Sequence, residues 1–175
     1  MVGPIRIVVT LAALTVAVAV AAGTSSAAPN VARNVSARNA LEFQILGEIN
    51  VLRRQHGLAS LRTSRGLRAA ADSHSSSMVT GGFFAHGDFS RRVARYYPRA
   101  RYRTWSVGEN LLWASPEVDA AQAVRMWLNS PMHRKILLTA RWREIGLAAV
   151  HVDAGPGVFD GGPVTVVTAD FGVRR

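Results

Sequence analysis

The chain has 175 residues, 21 Lys and Arg against 11 Asp and Glu, and no cysteine. That length suits one domain large enough to bury a core without staples, and the missing thiols exclude cysteine catalysis, disulfides and thiolate metal sites. The net charge of +10 is nearly all arginine, since Lys135 is the only lysine, and arginine is the better side chain for gripping phosphate and carboxylate with paired hydrogen bonds.

The first residues read as an export leader. Arg6 gives a basic start, residues 7–22 are almost wholly apolar, and small residues follow to Ala28. The apolar run is shorter than the roughly 20 residues of a membrane span, and Ser25 and Ala27 suit a cleavage site, so residues 1–27 are expected to be removed. Residues 28–37 are small and polar without apolar period and are expected to form a loose arm. One domain is then expected over 38–175.

Leu41, Ile45, Ile49 and Leu52 recur at helical spacing with Glu42 and Glu48 outside, Arg53 and Arg54 in the last turn and Gly57 closing the helix. Ser64 is a candidate N-cap for a second helix. Its stripe is Leu67, Ala71, His74 and Met78, and Gly81-Gly82 stops it. His74 therefore falls on the buried face, either as a satisfied core histidine or as a support for a nearby site. Phe83-Phe84-Ala85-His86-Gly87-Asp88 reads as a glycine-flanked loop with His86 at its tip. A short helix is expected from Ser90 to Tyr96, ended by Pro98, and residues 99–106 read as an edge strand or an extended loop.

Gly108-Glu109-Asn110 leads into the apolar Leu111-Leu112-Trp113. Ser115 is a candidate cap for a further helix, with Pro116 at its first position, Glu117 complementing the dipole, and Ala120, Val124 and Trp127 as its core stripe. Pro131 disfavours helical backbone at Ser130, so that helix should stop there and Ser130 should cap the next. His133 then sits near the third helical residue, where the positive helix end favours a neutral ring. Residues 145–152 and 164–173 read as two strands of an antiparallel hairpin, joined by a Gly- and Pro-rich loop. Helices precede strands without alternation, so the class is α+β, an antiparallel sheet covered by helices.

Two imidazoles and a carboxylate could hold zinc or another divalent metal with a position left for water. His86, Glu109 and His133 lie 23 and 24 residues apart, spacings that carry no local geometry. What joins them is a resemblance. Ile49-Asn50-Val51-Leu52-Arg53, Ala71 through Met78, Phe83-Phe84-Ala85-His86, Gly108-Glu109-Asn110, Trp127 through Leu137 and Arg143-Glu144-Ile145-Gly146-Leu147 follow one another as in bacterial members of the CAP superfamily. This superfamily covers cysteine-rich secretory proteins, antigen 5 and plant pathogenesis-related proteins. The resemblance implies a three-layer α-β-α sandwich, usually exported. It also implies a cavity lined by His86, His133 and Glu109, at which some members bind a divalent metal such as zinc. The position of a second cavity acid in many eukaryotic relatives is Ser130 here, a departure from the full set of four. His74, Ser130 and Asn110 are the candidates for a supporting role.

Three functions follow. The first is a monomeric, exported binding module for a small apolar ligand, a peptide or an envelope component. The second is a metal-dependent hydrolase or peptidase with Glu109 as general base, with Glu144 or Asp88 as stand-ins for the missing acid. The third is an interaction protein whose arginine surface meets anionic envelope polymers or lipid headgroups. Aromatic residues are not interleaved with the basic ones as in single-strand binders, which argues against nucleic acid. A serine hydrolase using Ser130 or Ser75 to Ser77 lacks a nucleophile elbow.

Overall fold

The computed structural model describes residues 27–100 and 102–175. The expected leader therefore lies almost wholly outside the described residues, and no described helix is long and apolar enough to cross a membrane. The elements run α1 (Ala27–Gln55), β1 (Arg62–Thr63), α2 (Arg65–Gly81), α3 (Phe89–Tyr96), β2 (Trp105–Ala114), α4 (Ala120–Asn129), α5 (Pro131–Leu137), β3 (Glu144–Val152) and β4 (Val164–Arg174). A 3-10 turn at Gly157–Phe159 interrupts the loop between β3 and β4.

The four strands lie in the order β1-β3-β4-β2. β3 and β2 flank β4 antiparallel, and the two-residue β1 pairs parallel with the start of β3. Alternate residues of β4 serve opposite layers, as the strand period requires. Val167, Ala169, Phe171 and Val173 join Ile45, Ile49, Trp127, Leu137 and Trp142 under α1, α4 and α5. On the other face, Val164 and Val166 pack with Met78 and Val79 of α2, while Leu67 and Ala70 of α2 meet Val93 and Tyr97 around α3. Helices thus cover both faces, and the expected α+β, three-layer sandwich is what the chain forms.

Close approach of α2 depends on Gly146 of β3. A Cβ there would stand 2.0 Å from the Leu67 carbonyl carbon and 2.1 Å from the Arg68 nitrogen. The helix can therefore lie directly on the strand, which seals the neighbouring position of β4, Asp170, paired with Gly146. β3 runs on past the short β1, and α1 covers its free edge. Arg38 Nε donates to the Ala149 carbonyl at 2.7 Å, and Glu42 accepts the Ala149 N–H at 3.2 Å. Backbone groups of an open edge need such partners.

Four expectations change. Glu42, read as an outward residue, is buried, since it faces that strand edge and also takes Arg68; burial, outweighing these partners, raises its pKa above the ordinary carboxylate value. Residues 28–37, expected as a loose arm, continue the backbone of α1. Ser115 does not cap α4. Its hydroxyl donates to the Pro163 carbonyl at 2.7 Å, and the helix starts later, where the Asp119 carboxylate accepts the Gln122 N–H at 2.7 Å. Finally, Gly108-Glu109-Asn110 lies inside a strand, so sheet and helix alternate in the middle of the chain. Leu111-Leu112 hides that strand's alternation because helices cover both of its faces.

Candidate functional site

β2 is the outermost strand on its side of the sheet, and the site is built around it. Odd-numbered residues of β2 face α2 and α3, and even-numbered ones face α4 and α5, as Leu111 and Leu112 illustrate by joining opposite cores. Glu109 and Asn110, adjacent in sequence, therefore serve opposite sides of the strand.

On the α3 side, His86 comes from the loop between α2 and α3. The αL residue Gly82, φ 64°, ends α2 and turns the chain away. Buried His74 then fixes the loop, its Nε2 donating to the Ala85 carbonyl at 2.9 Å. Burial first, then the Arg92 charge, lowers the His74 pKa and keeps that ring neutral. Asp88 caps α3 by accepting the Arg91 N–H at 3.1 Å. His86 Nδ1 lies 2.7 Å from Glu109 Oε1. The carboxylate is an acceptor, so Nδ1 carries the hydrogen. The imidazole side chain is 55% exposed while the Glu109 side chain is 2% exposed.

Glu109 has a second partner absent from the sequence reading. Arg92, one turn into α3, pairs with Glu109 Oε2 and also donates to the His86 carbonyl at 3.0 Å. Its guanidinium carbon lies 5.6 Å from the Phe89 ring centroid. A third group was also missed. Asp170 of β4 stands directly opposite Glu109 in the ladder. Thr104 and Arg175 exchange both backbone bonds at 3.0 Å; counting along the alternation, Glu109 and Asp170 form a non-hydrogen-bonded pair, where opposed side chains come closest. Asp170 is fully buried and neither carboxyl oxygen has a hydrogen-bond partner. Burial pushes its pKa well above the ordinary aspartate value. The Glu109 charge adds to this, and Arg92 pulls the other way. The sequence held a signal: a lone acid within the apolar run Val164 to Val173.

On the α5 side, the backbone places His133. Ser130 ends α4 and caps α5, its hydroxyl 3.5 Å from the His133 nitrogen, a long contact. Asn110 Nδ2 donates to the His133 carbonyl at 3.0 Å. Trp127 holds the incoming helix through its indole N–H on the Leu111 carbonyl at 3.0 Å. The C-terminal end of α5 is gripped by Arg53, buried completely, which donates to the Leu137 carbonyl at 2.7 Å and the Thr139 carbonyl at 3.1 Å. A guanidinium suits the negative end of a helix. His133 is half-buried, and its pKa is lowered by burial and by the charge of His86. The expected neutral ring is thus explained by its surroundings more than by the seven-residue helix.

Other candidates lie elsewhere. Glu144 bonds Tyr97 and pairs with Arg62 and Arg174, and Asp88 is a helix cap. Ser75 is buried and donates to Thr168 at 2.8 Å, and Ser77 to the Ser73 carbonyl. These groups have no part in the His86–Glu109 pair.

Grooves lie along α1 and beside α5. One of about 500 Å³ is lined by Leu41, Val118, Ala149 and His151. The histidine site has a polar floor, with exposed His86 above buried Glu109. As arranged, this floor does not fit zinc. Among the described residues no three His, Asp or Glu side chains converge to hold a metal ion. Both Glu109 oxygens are already engaged, by His86 and by Arg92, and the Arg92 charge beside them repels a cation.

The sequence pattern of the CAP, or cysteine-rich secretory protein, family matches residues 46–171, a span holding His86, Arg92, Glu109, His133 and Asp170. The chain belongs to the CAP family. An uncharacterized membrane protein of Bacillus subtilis is 34% identical over 113 residues, covering 61% of this chain and 30% of that protein. The chain thus spans less than a third of that relative's length. Among solved structures, an extracellular protein of Bacillus anthracis containing an SCP domain matches with a TM-score of 0.63 and 26% identity, over 82% of this chain and 43% of that one. An outer surface protein of Borrelia burgdorferi matches with a TM-score of 0.57 and 22% identity, over 75% of this chain and 90% of that one, which shows a shared fold.

Proposed function

We propose that this CAP domain is an exported binding module that recognises a peptide or anionic component of the cell envelope through His86 and His133. The state of Glu109 carries the reading. A general base must reach a water molecule or a substrate proton, yet this carboxylate is 2% exposed with one oxygen on an imidazole and the other on a guanidinium. The group that reaches solvent is His86, whose orientation is fixed from behind by a buried acid. His133, kept neutral by burial, would offer a second ring to the same ligand. Exposed Arg91 and Arg95 on α3 give the surroundings a positive field that favours anionic groups. Export is supported by the leader-like residues 1–27 and by the extracellular B. anthracis relative.

A small apolar ligand would instead use the groove lined by Leu41, Val118, Ala149 and His151, which includes neither His86 nor His133. Titrating the protein with envelope peptide and anionic polymer fragments, while following the ring resonances of His86 and His133 by NMR, tests the reading. Saturable shifts of both rings, lost in His86→Ala, are expected. Fragment binding that is unchanged in a His86→Ala/His133→Ala variant would overturn the site. Peptide turnover abolished by Glu109→Gln would favour the hydrolase.

A further inference from the structure

The buried floor of the site contains two carboxyl groups and one guanidinium. Glu109 and Asp170 face each other across the β2–β4 ladder, and both are sealed from water. Two carboxylates this close, on rigid neighbouring strands, are the kind of arrangement that attracts a divalent cation. Here Arg92 supplies the charge from inside the fold. Its side chain is 13% exposed, and its position is defined three times over: by Glu109 Oε2, by the His86 carbonyl at 3.0 Å, and by the Phe89 ring beside it. Planar geometry lets one guanidinium meet a carboxylate and a carbonyl together while stacking on an aromatic face, which an ammonium or a small ion cannot do. Its charge acts on Asp170 as well.

We propose that Arg92 is the resident cation of this site, neutralising the Glu109–Asp170 pair in the place a divalent metal would need, and that it closes the site to zinc. Three local features install it. Asp88 caps α3 and so fixes the helix start. Phe89 and Arg92, three residues apart, lie on one helix face. The His86 carbonyl, delivered by the loop that His74 anchors, takes one arm of the fork. The same residue that presents its imidazole to ligand thereby presents its carbonyl to the cation, so His86 and Arg92 are placed together. The inference stands whichever ligand the histidines recognise, and it applies equally if they recognise none.

Calorimetric titration of the folded protein with zinc chloride alone is the test, with thermal unfolding in zinc and in EDTA beside it. The wild type is expected to give no saturable zinc binding that depends on His86, and the same melting temperature in both media. Arg92→Ala removes the guanidinium and leaves Glu109, Asp170 and His86 facing a vacated position. It is expected to gain zinc-dependent stabilisation that His86→Ala removes. Arg92→Lys keeps a charge without the fork and is expected to stay folded and zinc-blind, so the comparison survives if Arg92→Ala does not fold. One zinc per wild-type chain, lost in His86→Ala, would overturn the proposal. A folded Arg92→Ala protein that takes no zinc would overturn the claim that Arg92 is what excludes it.

Discussion

The two histidines of the site are held by opposite means. His86 sits on a loop and is fixed through its side chain, by a buried acid that is itself fixed by Arg92. His133 sits in a helix and is fixed through its backbone, by Asn110 at its carbonyl, Ser130 at its nitrogen and Arg53 at the far end of α5. A side-chain tether sets the tautomer and direction of a ring that is otherwise solvent-exposed. A backbone tether leaves the ring free of fixed partners and lets burial set its charge. Together they give one exposed imidazole held by a buried acid and one kept neutral by burial, on the two sides of a single strand.

The largest effect that separates the two is expected from Arg92→Ala. It strips the cation from two buried carboxyl groups, which costs about 3–5 kcal/mol of stability in chemical denaturation. It should broaden the His86 ring resonance before that of His133. Arg53→Leu should do the reverse. It releases the Leu137 and Thr139 carbonyls, costs at least about 3 kcal/mol for the lost charge-assisted bonds, and disturbs His133 while leaving the His86 loop in place. An equal response of both rings to either change would mean that the two tethers are not separate.

Asp170→Asn should give a smaller effect that depends on pH. A raised carboxyl pKa in the folded state means that the native protein holds its proton more firmly than the unfolded chain. The wild type therefore has full stability from this group below the ordinary aspartate value and loses it as pH rises through the raised one. The amide removes that loss, so melting curves of the two proteins should converge in acid and separate in favour of Asp170→Asn as pH rises. A gap independent of pH would contradict the assignment. Ser130→Ala should be the mildest, at about 0.5 kcal/mol by thermal melting, because its capping contact is long.

The same contrast marks how far the sequence alone leads. Helical and strand periods locate α2, α3, β3 and β4, and Pro131 locates the break that puts His133 in a first turn. His86, Glu109 and His133 follow from the family pattern, because no local spacing joins them. Arg92 and Asp170 escaped. Arg92 looks like one more arginine in a basic helix, and only the fold shows that its side chain turns inward to a strand. Asp170 stands out as a lone acid in an apolar run, but its partner lies across the sheet, and register is not written in either strand separately. Arg53 reads as a basic residue closing a helix, yet it reaches another helix 84 residues away. Long-range hydrogen bonds of this kind depend on the tertiary arrangement, so periodicity is silent about them.

The central claim is that His86 and His133 form one site. The most direct measurement is the pH titration of the His133 ring by NMR in the wild type and in His86→Ala. The wild-type midpoint should lie below the ordinary histidine value of 6.5, and it should move up when His86 is removed, because the charge of His86 contributes to that shift alongside burial. A His133 midpoint that is the same in both proteins would contradict the account.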